Sequence, residues 1–191
     1  NVDRTLLLTT GNLTNSSGTY TASSYQRFGG ESAIVYGPLS AQAEYIQTNI
    51  HGTGYNGNSI DGGYGYVSYF LTGESRAYKA KTAAWDRIKP NSNFTTRGGI
   101  GAWEVAGGYD FLNLNNGPIH GGKADTLKAA LNWYPNSHIR IMANYIHYLD
   151  VNTATTGGVS STTPSPAATA RAASFNGANL DIVEMRAQVD F

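Results

Sequence analysis

Apolar and polar side chains alternate along much of this chain, most cleanly in its last segment, NLDIVEMRAQVDF. Counting back from Phe191, the residues Val189, Ala187, Met185 and Val183 fall on one face of a strand, and Asp190, Gln188, Arg186 and Glu184 fall on the other. Successive side chains point to opposite faces of a sheet, so one face suits an apolar surrounding and the other a wet one. A strand half-buried on a soluble core has the same period. The terminal aromatic, read here as a barrel assembly signal, and the rest of the chain argue for a strand that crosses a membrane.

The pattern recurs and predicts about eight strands, roughly at 3–10, 25–37, 39–50, 63–73, 101–112, 123–134, 139–151 and 179–191. Tight turns are expected at Gly37-Pro38 and at Pro135-Asn136-Ser137-His138, whereas 11–24, 52–62, 113–122 and 152–178 read as polar loops. Short turns at one end and longer loops at the other are the asymmetry of an outer-membrane barrel, which places the turns on the periplasmic side. The lipid-facing sets would be Trp103, Val105, Gly107, Tyr109 and Phe111; Leu127, Ala129, Leu131 and Trp133; and Ile139, Ile141, Ala143 and Tyr145. Glu104, Asp110, Lys128, Asn132, Arg140 and Asn144 would face a polar interior. In 63–73, Tyr64, Tyr66 and Phe70 alternate with Val67, Tyr69 and Leu71, and the pattern does not choose between the faces. The low-complexity 152–178 stretch reads as a mobile external loop, with disorder as the alternative.

Composition supports this fold class, an all-β transmembrane antiparallel barrel read as one domain over 1–191. The chain has 23 Gly and 13 Tyr but no Cys, a mixture suited to short strands and many turns rather than to a packed soluble core. No window approaches the roughly 20 apolar residues of a membrane helix. The mean hydropathy of −0.33 is what strands with every second residue in water would give. Thirteen basic and thirteen acidic residues balance, so no nucleic-acid partner is expected. The opening NVDRTLLLTTG has no apolar core behind a basic start, as expected of an exported chain that is processed or partial.

Enzyme chemistry finds no foothold. His51, His120, His138 and His147 form no HExxH arrangement. No Gly-x-Ser-x-Gly elbow is present, and Gly98, Gly99 and Gly101 precede a strand rather than a helix. No catalytic residue, metal or cofactor is therefore expected.

The run Tyr69-Phe70-Leu71-Thr72-Gly73-Glu74-Ser75-Arg76, followed by Tyr78-Lys79, resembles the YFLTGESRxYK segment of the bacterial phosphate- and polyphosphate-selective porins. IVYGPLSAQAEY (34–45), GAWEVAGGYDFLNLN (101–115) and LNWYPNSHIRIMANYI (131–146) are similar to that family in order and spacing. The resemblance implies a trimeric porin of the bacterial outer membrane, a barrel of about 16 strands with a basic lumen that passes small anions. Eight strands would then be its C-terminal half, with the N-terminal half elsewhere.

Charge can be read independently of that resemblance. Between 76 and 100 lie Arg76, Lys79, Lys81, Arg87, Lys89 and Arg97 against one carboxylate, Asp86. This segment would be a long connection at the turn end, folding into or across the pore mouth, where low-dielectric walls focus the field on passing anions. Lys128, Arg140 and Arg186 on the inner faces would extend the anion path. The alternatives are a solvated basic loop at the membrane edge, touching acidic lipid or a neighbouring subunit, and inner cations paired with Glu184, Asp125 or Glu104. Two further functional readings stay open. One is a general porin with little anion preference, in which Glu31, Glu44, Glu104 and Asp110 offset the cations. The other is an accessory barrel without significant conductance.

Overall fold

The computed structural model describes residues 8–14, 17–79, 81, 84–153 and 174–190. Its strands are β1 (Thr21–Tyr36), β2 (Leu39–Thr53), β3 (Tyr55–Phe70), β4 (Tyr78–Lys79), β5 (Ala84–Trp85), β6 (Ala102–Asn116), β7 (Ile119–Asn136), β8 (Ile139–Asn152) and β9 (Asp181–Val189). One antiparallel sheet runs β1-β2-β3-β6-β7-β8-β9, and β4 pairs with β5 in a two-residue ladder. Seven of the eight strands read from the sequence are thus present. Of the first, 3–10, residues 1–7 lie outside the described residues and 8–10 are not strand. Phe191 also lies outside them. Among the described residues no helix is long and apolar enough to cross a membrane, which leaves crossing by strands untouched.

Register decides which side chains share a face. Tyr69 pairs with Val105, Val105 with Leu131, Leu131 with Ala143 and Ala143 with Met185. This continuous apolar row defines the outer face and resolves β3: Val67 and Tyr69 point outward. Tyr64, Tyr66 and Phe70 point inward, opposite Asp110, Gly108 and Glu104. Outward Gly63 is covered by the rings of Tyr45 and Phe111, whose centroids lie 6.3 Å apart. The inner face curls around a cavity of about 770 Å³ whose lining includes Glu44, Tyr64, Asp110, Lys128, Asn144 and Glu184, spanning β2 to β9. A flat sheet could not bring those strands to one cavity.

The hairpins at the loop end differ from expectation. Most of 52–62 and 113–122 is strand, turning tightly at Gly54 and at Gly117-Pro118. These stretches are rich in Gly, Asn and Ser, so composition reads as loop, yet their neighbours satisfy the backbone ladder. Asn58 Nδ2 donates to Asn116 Oδ1 at 2.8 Å across two such hairpins. The strands of 14–18 residues at β2, β3, β6, β7 and β8 are longer than the about 9–11 residues that a tilted transmembrane strand needs. Of the expected loop at 152–178, residues 154–173 lie outside the described residues.

Two small apolar clusters close the ends. Ile50, Tyr55 and Ile119, with Leu13 and Tyr20 packed on them, lie at the loop end, where the Tyr55 hydroxyl donates to Leu13 O at 2.7 Å. Phe70, Ile88, Ala102 and Tyr134 lie at the turn end, where Ile88 brings the 71–101 connection onto the sheet. β1 and β9 are the outermost strands and are exposed along most of their length.

Candidate functional site

The connection from Leu71 to Gly101 is anchored by the residues of the YFLTGESR run. Leu71 N donates to Trp103 O at 2.8 Å, and Trp103 N donates to Thr72 Oγ1 at 3.0 Å, tying the exit of β3 to the start of β6. Gly73 turns the chain at φ +87°, a backbone region that side chains disfavour. Glu74 is buried; its carboxylate accepts the Thr72 hydroxyl and, at 2.9 Å, the backbone N–H of Asn91. That bond draws the far arm of the connection back to its beginning.

Arg76 then reaches onto the inner face. Its guanidinium Nη2 contacts Glu104 Oε1, and its Nε donates to Ser40 Oγ at 3.1 Å and to Ser68 Oγ at 3.4 Å. Glu104 is fully buried at 0 % exposure and also accepts Asn132 Nδ2 at 3.0 Å and the Tyr134 hydroxyl at 2.8 Å. The rings of Phe70 and Trp85 flank the guanidinium at 5.6 and 5.9 Å. Trp85 packs edge-on against Tyr78 at 5.4 Å and donates from Nε1 to Gln42 Oε1 at 2.9 Å. The short β4–β5 hairpin therefore lies against inward side chains of β2 and β3.

The six cations of this segment do not form one cluster. Arg76 is spent on Glu104, and Lys79 Nζ meets Asp86 Oδ1 at 2.7 Å. That ammonium, with the Arg87 backbone N–H, holds the Asp86 carboxyl below its ordinary value. Lys81 is exposed on the link between β4 and β5, and Lys89 is exposed near Asp86. Arg87 Nη1 contacts His138 Nδ1 at 3.0 Å, at the turn between β7 and β8. Arg97 is exposed in a turn closed by Thr95 and Gly99. That turn lies between Phe94, edge-on to Trp133 at 5.2 Å, and Ile100, whose carbonyl accepts both Trp103 Nε1 and Trp133 Nε1. Trp103 and Trp133 stack on the outer face at 5.5 Å, so the turn that carries Arg97 sits beside the outer-face tryptophans.

Residues 2–191 match the model of the family described as phosphate-selective porin O and P. The chain belongs to this family. It is similar to Porin O of Pseudomonas aeruginosa, 34 % identical over 130 residues, which cover 62 % of this chain and 28 % of that protein. It is also similar to an uncharacterized protein of Caulobacter vibrioides, 38 % identical over 119 residues, covering 62 % of this chain and 23 % of the relative. The match thus spans less than a third of either relative's length.

On the inner wall, Lys128 pairs with Asp110, a partner that sequence reasoning had not named for it. Arg140 Nη2 donates to Gln188 Oε1 at 3.0 Å, and Arg186 is exposed on β9 opposite Met142. Arg27 on β1, absent from the sequence-based set, stands on the same face and donates from Nε to Thr48 Oγ1 at 3.4 Å. Carboxylates share the wall: Glu31 and Glu44 are direct cross-strand partners, and Glu184 lies opposite Asn144. The cations Arg76, Arg140 and Arg186 gather toward the turn end, and Glu31, Glu44 and Asp110 lie farther up the strands. Among the described residues no group of side chains could hold a metal ion.

Proposed function

We propose that this chain forms part of the wall of an outer-membrane channel through which small anions such as phosphate diffuse. The basic connection narrows the pore at its turn end. The observation that carries this reading is the docking of Arg76 and Trp85 against inward residues of β2, β3 and β6. It puts the β4–β5 hairpin on the same side of the sheet as the 770 Å³ cavity. The anion path would run past Lys79, Lys81, Arg87 and Lys89 and on to Arg140, Arg186 and Lys128. Exposed Lys and Arg offer hydrated charge and forked donors that can attract an anion without trapping it. Lipid would meet the outer row from Tyr69 to Met185, and β1 and β9 would pair with further strands of the whole protein, since an open sheet edge is not tolerated in lipid. Assembly as a homotrimer belongs to the same proposal.

A second reading, a general porin of the same family, draws support from the inward carboxylates Glu31, Glu44, Asp110 and Glu184. Reversal potentials of the full-length protein in a planar bilayer separate the two. Anion-selective current that added phosphate blocks supports the first; unselective current untouched by phosphate leaves the second.

A further inference from the structure

We infer that the contact between Arg76 and Glu104 is a latch that sets the width of the channel's narrow section, so that both residues act as positioning residues for the hairpin. This rests on the reading of the chain as a channel wall. The β4–β5 hairpin has a ladder of two residue pairs, Tyr78 with Trp85 and Lys79 with Ala84, too few to hold its shape in water. Its position must come from the wall. Most of the wall contacts converge on one guanidinium: Arg76 reaches Glu104, Ser40 and Ser68 at once and lies over the rings of Phe70 and Trp85, while Trp85 adds a single bond to Gln42. A planar fork with donors on separate nitrogens can serve a carboxylate and two hydroxyls together, which a lysine ammonium on a flexible stem cannot reproduce.

Glu104 is the other half of the latch. Its carboxylate is fully buried, and its hydrogen-bonding partners other than Arg76, namely Ser68, Asn132 and Tyr134, belong to the sheet and stay whether or not the hairpin docks. Docking adds the single cation. Removing one member of a buried pair strands the other, so either single loss disfavours the docked position more than the intact pair favours it. The later arm has its own bolts, Glu74 on the Asn91 backbone and Ile88 in the cluster with Phe70, Ala102 and Tyr134. Loss of the latch therefore loosens β4 and β5, which stay held to the wall by the Trp85–Gln42 bond, and leaves 88–101 in place.

The test uses the full-length protein in detergent and in planar bilayers, with variants Arg76→Gln, Glu104→Gln, Arg76→Lys and the exchange Arg76→Glu with Glu104→Arg. Heat-modifiable migration selects folded protein. Trypsin cleavage after Lys79 and Lys81 is the deciding readout, because cleavage follows the population of the undocked form. Each single variant is expected to speed it by about tenfold or more, with Lys no substitute for Arg, and the exchange to recover part of the protection. Channel conductance should rise in step with cleavage. If the charge variants do not fold, Ser40→Ala with Ser68→Ala weakens the same anchor without stranding a charge and should speed cleavage. Unchanged protection in a folded variant overturns the latch whatever the current does. Absence of phosphate-blocked current in the parent would instead sink the anion-channel reading, and the latch would still be decided by proteolysis.

Discussion

Trp85 Nε1 donates to Oε1 of Gln42 at 2.9 Å, and the Tyr66 hydroxyl donates to that same oxygen at 2.9 Å. Gln42 returns a bond from Nε2 to the Tyr64 hydroxyl at 2.9 Å, so one amide joins the hairpin to two stacked tyrosines of β3. Replacing Gln42 with Ala should cost about 1 kcal/mol for each bond lost and leave the sheet folded. Tryptophan emission should shift to the red as Trp85 loosens, since Trp103 and Trp133 are stacked elsewhere. An unshifted spectrum would separate Trp85 from Gln42.

The outer face carries the same diagonal contact three times. Tyr45 donates to Asp61 at 3.2 Å, Tyr109 to Asp125 at 2.9 Å and Tyr145 to Asp181 at 2.6 Å, each from one arm of a hairpin to the other. These pairs draw a boundary between the apolar row below and the polar hairpin ends above. Leu131→Arg, in the middle of that row, should cost about 2–4 kcal/mol of stability in lipid, and Asp125→Arg at the boundary about 0–1 kcal/mol. Equilibrium unfolding from vesicles measures both, and equal costs would contradict the assignment of faces.

Gly101 enters β6 at φ +71°, and a Cβ there would lie 2.5 Å from the Tyr134 carbonyl oxygen. Gly37, at φ +57°, has open space around it. Gly37→Ala should therefore cost about 1 kcal/mol of backbone strain, while Gly101→Ala must also move β7 and should lose folded protein. Yields of heat-modifiable barrel would show the contrast.

Acid should open the Lys79–Asp86 contact. The ammonium lowers the Asp86 carboxyl from its ordinary 3.8, so the contact contributes fully above that value and fades as pH falls through the lower folded value. Hydrogen-exchange protection of the Asp86 amide, which donates to Ala77 O at 2.7 Å, should hold from pH 7 to 5 and drop below about pH 4. Protection that is flat to pH 2 would mean the hairpin does not depend on this pair.

The faces of β6 to β9 were legible because a period of two survives in the sequence: Trp103, Val105 and Leu131 do share a side. β3 was not, because aromatic side chains occupy both of its faces, and its neighbours' register chooses between them. The hairpin ends at 55–62 and 113–122 were hidden by Gly and Asn, residues that signal turns locally while ladder partners hold them extended. Six cations within 76–100 could be counted, but not their division. Arg76 finds Glu104 across 28 residues of chain, and the turn of Arg97 is held beside Trp133 by Phe94 and Ile100, contacts that no local spacing encodes.

The most direct test of the basic connection as the pore's narrow section uses the absence of cysteine from this chain. Lys81→Cys, in full-length protein without other cysteines, would be treated with a negatively charged, membrane-impermeant thiol reagent during single-channel recording. Stepwise loss of anion current on labelling, with weaker block by phosphate, is the result predicted for a side chain in the path. Complete labelling with unchanged current and selectivity would place Lys81 outside the path and contradict the account.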